Sequence, residues 1–423
     1  MNYVLDEGAV LEHLGEPVSG APILNRPLSA HQDQALEGPA RVRALDEIPA
    51  DARDFLLVRG GVYLTRRIAR RFAAAARRSG ADTAVLALEP CVFARTTTAL
   101  GGTRQDGERT IYDVYWRRAG RPSADELARA RPVALAIREH PIRNEVLARR
   151  GLHVEGLDVA LTAEAVMHVR HWSHLPVANY VALYAHWFDF SPARIARLVG
   201  AVVRAGWPSA PRVLGKLTVR GRRCKIHPSA VVEASVLGDG VDVGPLAIVR
   251  ASFIGDRAKI EGHAQVNFSS VGADAVVSFY TICNYCVLYP QAMLSLVGTQ
   301  MGVIGRRGTV LGGSLLMDLR DPYLERDVPV MDGGRRVPSG RKVLGPCIGP
   351  GAVVGAGVRL APGLAVPAGA YLVGDPEDVL RRIDGPLEAR APHFTAGGVA
   401  RPTALPLPSA PEAQNERHKK PSR

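Results

Sequence analysis

The sequence predicts an α/β region followed by an all-β, left-handed parallel β-helix. From Ile226 onward an aliphatic residue recurs after six, five and six residues, so each set of three advances by 17 and begins again at Val243, Ile260 and Val277. Strict six-residue repeats then fill residues 348–372. The N-terminal part lacks this period and alternates short apolar runs with helical segments, which is typical of α/β folds.

Each six-residue repeat predicts one short strand and one corner. The leading aliphatic residue fills the interior, and Gly, Asp, Asn or Pro turns the corner. One coil cannot bury its own interior, whereas stacked coils bury a continuous column. The alternative, a β-sandwich, would alternate with period two and turn every roughly 8–12 residues. We therefore assign residues 224–383 to the β-helix, with an excursion at about 317–343 where charges and Gly333-Gly334 break the period.

Residues 1–185 are expected to form one α/β domain. Strand-like runs at 55–62 and Thr83–Leu88 flank an Arg/Ala-rich helix that follows Thr65. We expect Thr65 to cap this helix, and Ser123 to open a second one through a capping box with Glu three residues later.

Residues 186–223 predict a helical connector. Ser191-Pro192 favours a helix start, and the basic amphipathic segment 193–205 follows it. We expect this helix to pack between the domains, and the alternative is a helix that lies on a membrane surface. The tail 384–423 is basic and rich in Pro, which predicts disorder.

The composition predicts a cytoplasmic protein without a membrane span. The chain of 423 residues is 47% hydrophobic and 22% charged, and no apolar run reaches the roughly 18–20 residues that cross a bilayer. The acidic N-terminal stretch does not resemble a secretory signal. Five scattered cysteines exclude a disulfide framework. The net charge of +12 comes mostly from arginines dispersed along the chain, and only 6% of the residues are aromatic. This pattern argues against binding of nucleic acid and suits binding of anionic sugar nucleotides or acyl-thioester phosphates.

An α/β domain followed by hexapeptide repeats resembles the two-domain sugar-nucleotide enzymes typified by the bifunctional UDP-N-acetylglucosamine pyrophosphorylases/glucosamine-1-phosphate acetyltransferases. The resemblance implies a nucleotidyltransferase-like first domain and a left-handed β-helix that forms a homotrimer. It also implies acyl transfer from an acyl-CoA, such as acetyl-CoA, to a sugar phosphate or sugar nucleotide in the metabolism of cell-envelope polysaccharides.

The N-terminal domain departs from this family at its nucleotide site. The segment Leu56–Thr65 resembles the family strand that ends at a metal-binding Asp, but Gly61 holds the Asp position. The family's phosphate-binding loop, Gly-x-Gly-Thr-Arg, has no match in residues 1–50, where Gly20–Leu28 is the nearest piece. Since phosphoryl-type transfer depends on electrostatic clamping of charge, we expect a degenerate domain without a metal site that retains the capacity to bind a sugar or nucleotide.

His263 is the candidate catalytic residue of the β-helix. Acyl transfer needs a general base near the nucleophile, and the resemblance implies a His on a coil that faces a cleft between subunits. The alternative is a surface His at a coil corner. His227, in the first coil, is expected to be structural.

Four residues are candidate substrate contacts. Asn284 and Tyr285 resemble a family stretch that holds the sugar, although Cys286-Val287 stands where the family has Asp-Gly. The alternative is an Asn ladder with aromatic packing. Asp318 and Arg320, in the excursion, are expected to contact a charged substrate or to remain solvated loop charges. Cys283 and Cys286 have C-x-x-C spacing but lack the second pair of a metal site, so packing is the favoured interpretation.

These features predict a transferase directed at a sugar or sugar nucleotide, with acyl transfer from an acyl-CoA by the β-helix. Two alternatives remain. The first is a non-catalytic trimeric scaffold or a sugar-nucleotide-binding regulatory paralogue. The second is an active sugar-phosphate nucleotidyltransferase.

Overall fold

In the computed structural model, the N-terminal region is built on a seven-stranded mixed sheet. Arg109–Ala119 runs antiparallel to its neighbours and the other strands share one direction, so their carboxyl ends meet at one edge. In spatial order the strands are Arg131–Leu135, Thr83–Leu88, Arg109–Ala119, Arg53–Arg59, Tyr3–Leu5 and Ala40–Val42, with Arg104–Asp106 beside Arg109–Ala119. The structure describes residues 1–97, 100, 103–142, 159–188, 192–206, 209–320, 326–376, 379, 382–383, 393–396 and 399–402.

Helices cover both faces of this sheet. Thr65 precedes the second helix without capping it, because its hydroxyl instead donates to the carbonyl of Ala163 at 2.9 Å. Ser123 does form the predicted capping box with Glu126. The described helices are α1 (Leu28–Leu36), α2 (Arg66–Arg78), α3 (Val92–Thr97), α4 (Ala124–Ala128) and α5 (His174–Phe188), with 3-10 turns at Val18–Gly20 and Leu45–Glu47.

Short strand pairs complete the α/β region. The sequence run 55–62 is interrupted by a turn, and Val62–Leu64 pairs with Val166–His168 outside the central sheet. The other pairs are Val10–Leu11 with Glu16–Pro17, Pro22–Ile23 with Arg26–Pro27, and His140–Ile142 with Val159–Leu161.

The C-terminal region stacks parallel strands on three faces, as in a parallel β-helix. The first face comprises Val219–Arg220, Val236–Leu237, Phe253–Ile254, Ser270–Val271, Val287–Leu288, Val303–Ile304, Cys347–Ile348 and Ala365–Val366. The second face comprises Lys225–Ile226, Asp242–Val243, Lys259–Ile260, Val276–Val277, Met293–Leu294, Thr309–Val310, Val353–Val354 and Tyr371–Leu372. The third face comprises Val231–Glu233, Ile248–Arg250, Gln265–Asn267, Ile282–Asn284 and Gly298–Gln300.

The third face is interrupted after Gly298–Gln300. The next strand of that face, Leu315–Leu316, pairs with Arg359–Leu360 in a separate sheet. The excursion leaves the coil after Leu315–Leu316 and returns to it before Arg359–Leu360. It contains the hairpin Pro329–Asp332 with Arg335–Pro338.

The predicted 17-residue register is confirmed on the second face. Ile226 pairs with Val243, Val243 with Ile260 and Ile260 with Val277, each one coil further on. A second ladder runs through the interior, where the amide of each residue donates to the serine hydroxyl of the coil before it. It comprises Ser235, Ser252, Ser269 and Cys286, at 3.0 to 3.1 Å. Cys283 and Cys286 are fully buried, in keeping with packing.

The α/β region packs against the first face and against the excursion. The side-chain amide of Asn25 donates to the carbonyls of Phe253 at 2.9 Å and Val271 at 2.8 Å. On the excursion hairpin, the carbonyl of Met331 lies 3.0 Å from Nε2 of His171. The excursion therefore covers a side of the α/β region.

The connector forms two helices, α6 (Pro192–Ala205) and α7 (Ala210–Leu217). Residues 373–423 form a separate unit. Its described strands are Arg382–Ile383, His393–Ala396 and Val399–Pro402, and most of the tail that was predicted to be disordered lies outside the described residues. Within the described part of the chain, every helix is too short or too polar to traverse a lipid bilayer.

Candidate functional site

A cleft of about 590 Å³ opens where the parallel strands of the α/β region end. This is the edge at which open α/β sheets bind ligands. Four arginines line it, and we call it the arginine cleft: Arg43, Arg59, Arg104 and Arg170. Two carboxylates, Glu7 and Asp113, share the same walls.

Asp113 is the centre of the hydrogen-bonded cluster in this cleft. Arg170 donates to its Oδ2 at 2.8 Å, and the hydroxyl of Tyr115 donates to its Oδ1 at 3.0 Å. Nε2 of His168 lies 3.2 Å from Oδ2. The pairing of Val62–Leu64 with Val166–His168 brings His168 to this position.

Asp113 stays ionised in spite of its burial. Burial opposes ionisation, but the hydrogen bond and charge of His168, the charge of Arg59 and the hydrogen bond from Tyr115 outweigh it and lower the pKa of Asp113 to about 2. Burial lowers the pKa of His168, which disfavours its cationic form, and burial together with Asp113 raises the pKa of Tyr115 to about 12. A neutral imidazole beside a carboxylate is a hydrogen-bonding group that positions Asp113 and Arg170.

Several polar groups of the cleft remain available to a ligand. The partly exposed side chain of Arg59 lines the cleft and pairs with Glu7 at 3.0 Å, whereas its Nε and Nδ1 of His168 are buried and have no partner among the described residues. Arg43 makes no side-chain ion pair within the described ranges, and Arg104 contacts only the carbonyl of Ala128, at 3.3 Å. The cleft therefore presents guanidinium N–H donors that are not all paired with carboxylates of the cleft.

Gly61, at the position where the resemblance implies a metal-binding Asp, leaves little room for a side chain. A Cβ on Gly61 would lie 3.0 Å from the carbonyl oxygen of Val169, whose amide donates to the carbonyl of Gly61 at 2.7 Å. Among the described residues there is no group of three or more His, Cys, Asp or Glu side chains placed to hold a metal ion. The residues present therefore do not fit the metal that the resemblance implies.

The loop after the strand Tyr3–Leu5 is acidic. It begins Asp6-Glu7-Gly8, and the amide of Gly8 donates to Oδ1 of Asp6 at 3.2 Å. One of its amides is therefore already used, and Glu7 pairs with Arg59 at 3.0 Å. Gly20–Leu28, the nearest piece in the sequence, instead places Asn25 against the β-helix.

A second cleft, of about 400 Å³, lies where the third face of the β-helix is interrupted. We call it the third-face cleft. Its polar residues are Asn284, Thr299, Gln300 and Asp318, and its apolar walls are Ile282, Gly298, Leu315, Leu316, Met317 and Leu319. Two of the predicted substrate contacts, Asn284 and Asp318, thus meet in one cleft.

The polar side chains of this cleft differ in whether they have hydrogen-bond partners. Burial raises the pKa of Asp318, and a hydrogen bond from its own backbone amide opposes this shift only in part. Asn267 donates to Oδ1 of Asn284 at 2.9 Å, so Asn284 belongs to the Asn ladder that was the alternative interpretation, and it also lines the cleft. The hydroxyl of Thr299 is buried without a partner among the described residues.

Three predicted site residues lie outside both clefts. His263 is an exposed corner residue with φ of +60°, and its ring stacks on Tyr280 at 4.8 Å. Tyr285 stacks on Phe268 at 4.9 Å and contacts Tyr180 of α5 edge-on, so it packs the junction with the α/β region. Arg320 donates to the carbonyl of Asp327 at 3.3 Å.

None of the residues that line the arginine cleft was predicted from the sequence as a site residue. Asp113 is a carboxylate inside an alternating apolar strand, which could have marked it. Comparison with known proteins adds no assignment, since no protein-family model and no curated protein sequence matches this chain.

Proposed function

We propose that this protein is a transferase acting on a phosphorylated sugar or a sugar nucleotide, whose phosphate binds in the arginine cleft. The observation that carries the proposal is the set of guanidinium groups that Arg43, Arg104 and the partly exposed Arg59 bring to the ligand-binding edge of the sheet. Guanidinium groups bind phosphate through paired, charge-assisted hydrogen bonds. Asp113, which remains ionised, fixes Arg170 at the cleft wall and suits contact with sugar hydroxyls.

The proposal excludes nucleotidyl transfer as the main activity. Its basis is the poor fit of Gly61 to a metal-binding carboxylate. An active sugar-phosphate nucleotidyltransferase remains the alternative with the least support. Release of pyrophosphate from a nucleoside triphosphate and a sugar phosphate would establish it against our proposal.

Acyl transfer from an acyl-CoA is the proposed chemistry, and the third-face cleft supports it. Asp318 replaces His263 as the candidate base, because it lies in a cleft and its raised pKa makes it a stronger base once ionised. Asn284 is the candidate sugar contact there. Left-handed winding and residence in the cytoplasm remain part of this proposal.

A homotrimer is proposed from the apolar corner between the second and third faces. Leu246, Tyr280 and Leu296 stand at this corner on three of four successive coils, and each is more than half exposed. His263 occupies the corner on the coil between Leu246 and Tyr280 and stacks on Tyr280. A homotrimer would cover such a column. A scaffold without catalysis is the rival function, and it would need this column but neither cleft.

Calorimetric titration with UDP-N-acetylglucosamine tests the arginine cleft. Each lost charge-assisted hydrogen bond costs about 1.5–3 kcal/mol, so we expect Arg43→Gln/Arg104→Gln to weaken binding at least about tenfold. Arg53→Gln is the matched control, since Arg53 begins the strand that Arg59 ends. Equal affinities of the two variants would refute the site, and absence of binding to the unaltered protein would favour the scaffold.

Titration and turnover with acetyl-CoA test the acyl-transfer step. We expect Asp318→Asn to lower kcat by about 10²–10⁴-fold, the usual contribution of a general base, while His263→Ala leaves it unchanged. The opposite ranking of these two variants would restore His263 as the base. Failure of acetyl-CoA to bind would remove acyl transfer and leave the sugar-phosphate proposal standing.

A further inference from the structure

Helix α6 exposes an apolar stripe. Its exposed aliphatic residues recur at three- and four-residue intervals along one side, as on the buried side of an ordinary amphipathic helix. In this protein they are between 40% and 73% exposed: Ile195, Leu198, Val199, Val202 and Val203. Ala201 is buried on the other side. That this helix packs between the domains stays a prediction, and it does not account for these exposed side chains.

Helix α7 anchors α6 to the outside of the β-helix. The amide of Ala234 donates to the carbonyl of Leu214 at 2.8 Å, and the hydroxyl of Thr218 donates to the carbonyl of Val232 at 3.1 Å. These bonds join the end of α7 to the first coils. Helix α6 lies on the far side of α7 from the coil, and Leu214 of α7 adds a further exposed aliphatic side chain.

The stretch of sequence that contains this stripe is basic, although Asp239 of the next coil pairs with Arg222 at 2.9 Å. Between Asp189 and Glu233 the sequence contains no acidic residue. The same stretch contains nine basic residues: Arg194, Arg197, Arg204, Arg212, Lys216, Arg220, Arg222, Arg223 and Lys225. A partner that covers the stripe is thus expected to carry negative charge.

We propose that α6 and α7 form a docking surface for an anionic lipid bilayer. An amphipathic helix with aliphatic residues on one side and basic residues beside them lies in the plane of a membrane surface, held by apolar insertion and by attraction to anionic headgroups. A second copy of the same helix would bring like charges together and is disfavoured for that reason. The surface places both clefts of the proposed transferase on a membrane-associated protein.

Vesicle flotation of the full chain tests this surface. The vesicles are phosphatidylcholine alone, or phosphatidylcholine with about one third phosphatidylglycerol. We expect binding only to the anionic vesicles and its loss at about 0.5 M salt, where charges are screened within a few ångströms. Val199→Gln/Val203→Gln removes apolar contact without a change in charge, and should abolish flotation. Leu364→Gln, at a similarly exposed aliphatic residue of the β-helix, should not.

A second pair of variants separates local charge from net charge. Each basic residue near an anionic surface contributes about a fivefold change in partitioning, so Arg204→Gln/Arg212→Gln should weaken binding roughly 25-fold. Arg53→Gln/Arg129→Gln has the same net charge and should bind normally. Equal loss in both pairs, or equal binding to the two kinds of vesicle, would overturn the proposal. So would a variant of Val199 and Val203 that shifts the oligomeric state in light scattering without affecting flotation.

Discussion

The hydroxyl of Ser270 donates a hydrogen bond of 2.7 Å to the side-chain carbonyl of Asn179. This buried contact joins α5 of the α/β region to the first face of the β-helix. The same carbonyl accepts from the amide of Leu24 at 2.8 Å, and the NH₂ group donates to the carbonyls of Pro22 and Leu175, both at 2.9 Å. One side chain therefore satisfies buried groups from three segments of the chain.

We expect Asn179→Ala to destabilise the protein by about 3 kcal/mol, because each buried polar group left without a partner costs about 1–3 kcal/mol. The measurement is the shift of the urea unfolding midpoint. Asn267→Ala is the control, since the amide of Asn267 donates to Asn284 on the half-buried third face, and its cost should stay below about 1 kcal/mol. Similar shifts in both variants would mean that Asn179 does not hold the junction together.

Thr299→Val should stabilise the β-helix. Thr299 occupies an interior position one coil beyond Cys283, and its buried hydroxyl has no partner within the described residues. Replacing it with the isosteric Val removes an unsatisfied group, which is worth about 1–2 kcal/mol. Thermal unfolding should show a higher Tm for Thr299→Val. Thr281→Val, which loses a bond of 3.5 Å to the carbonyl of Leu294, should not raise it.

Stability should fall as the pH decreases below about 6.5. Burial lowers the pKa of His168, His31 and His171 from the ordinary value of 6.5, so the unfolded chain takes up protons that the folded chain resists. The unfolding free energy is then highest above pH 6.5 and declines on acidification. We expect His168→Gln to reduce this slope in urea titrations at pH 7.5 and 5.5. An unaltered slope in His168→Gln would contradict the burial effect.

A second loss of stability should follow between about pH 4 and pH 2. The pKa of Asp113 is about 2 in the folded protein against an ordinary value of 3.8. The ionised Asp113 therefore contributes about 2 kcal/mol to the free energy of unfolding above pH 3.8, and this contribution is lost as the pH falls through 2. We expect the stability of Asp113→Asn to vary less over this window than that of the unaltered protein. Parallel curves for the two proteins would show that Asp113 is not held ionised by its neighbours.

The coil could be predicted from the sequence, whereas the two clefts could not. Ile226, Val243 and Ile260 are spaced by the length of one coil, so the sequence period predicts that they stack. The cluster of Asp113 and His168 depends on two strands 55 residues apart, and Asn284 meets Asp318 only because the third face is interrupted between them. Such encounters arise from tertiary packing.

The corner position of His263 shows the same limit. The period places this residue at a corner, but it carries no information on what lies beside the ring, which proves to be Tyr280. Exposure of the apolar side of α6 was equally hidden, because a stripe of aliphatic residues looks the same in sequence whether protein or solvent covers it.

Gly61 offers a direct test of why the nucleotide site departs from the family pattern. A Cβ there would approach the carbonyl oxygen of Val169 to 3.0 Å, so the strand pair Val62–Leu64 with Val166–His168 would have to shift. We expect Gly61→Ala to cost about 1–3 kcal/mol, as other overpacking substitutions do, and Gly61→Asp to cost more without creating Mg²⁺-dependent activity. Gly20→Ala, with no atom within 4 Å of its Cβ, is the control and should be near neutral in urea unfolding. If Gly61→Asp were stable and released pyrophosphate in the presence of Mg²⁺, the close contact would not be the reason for the missing carboxylate.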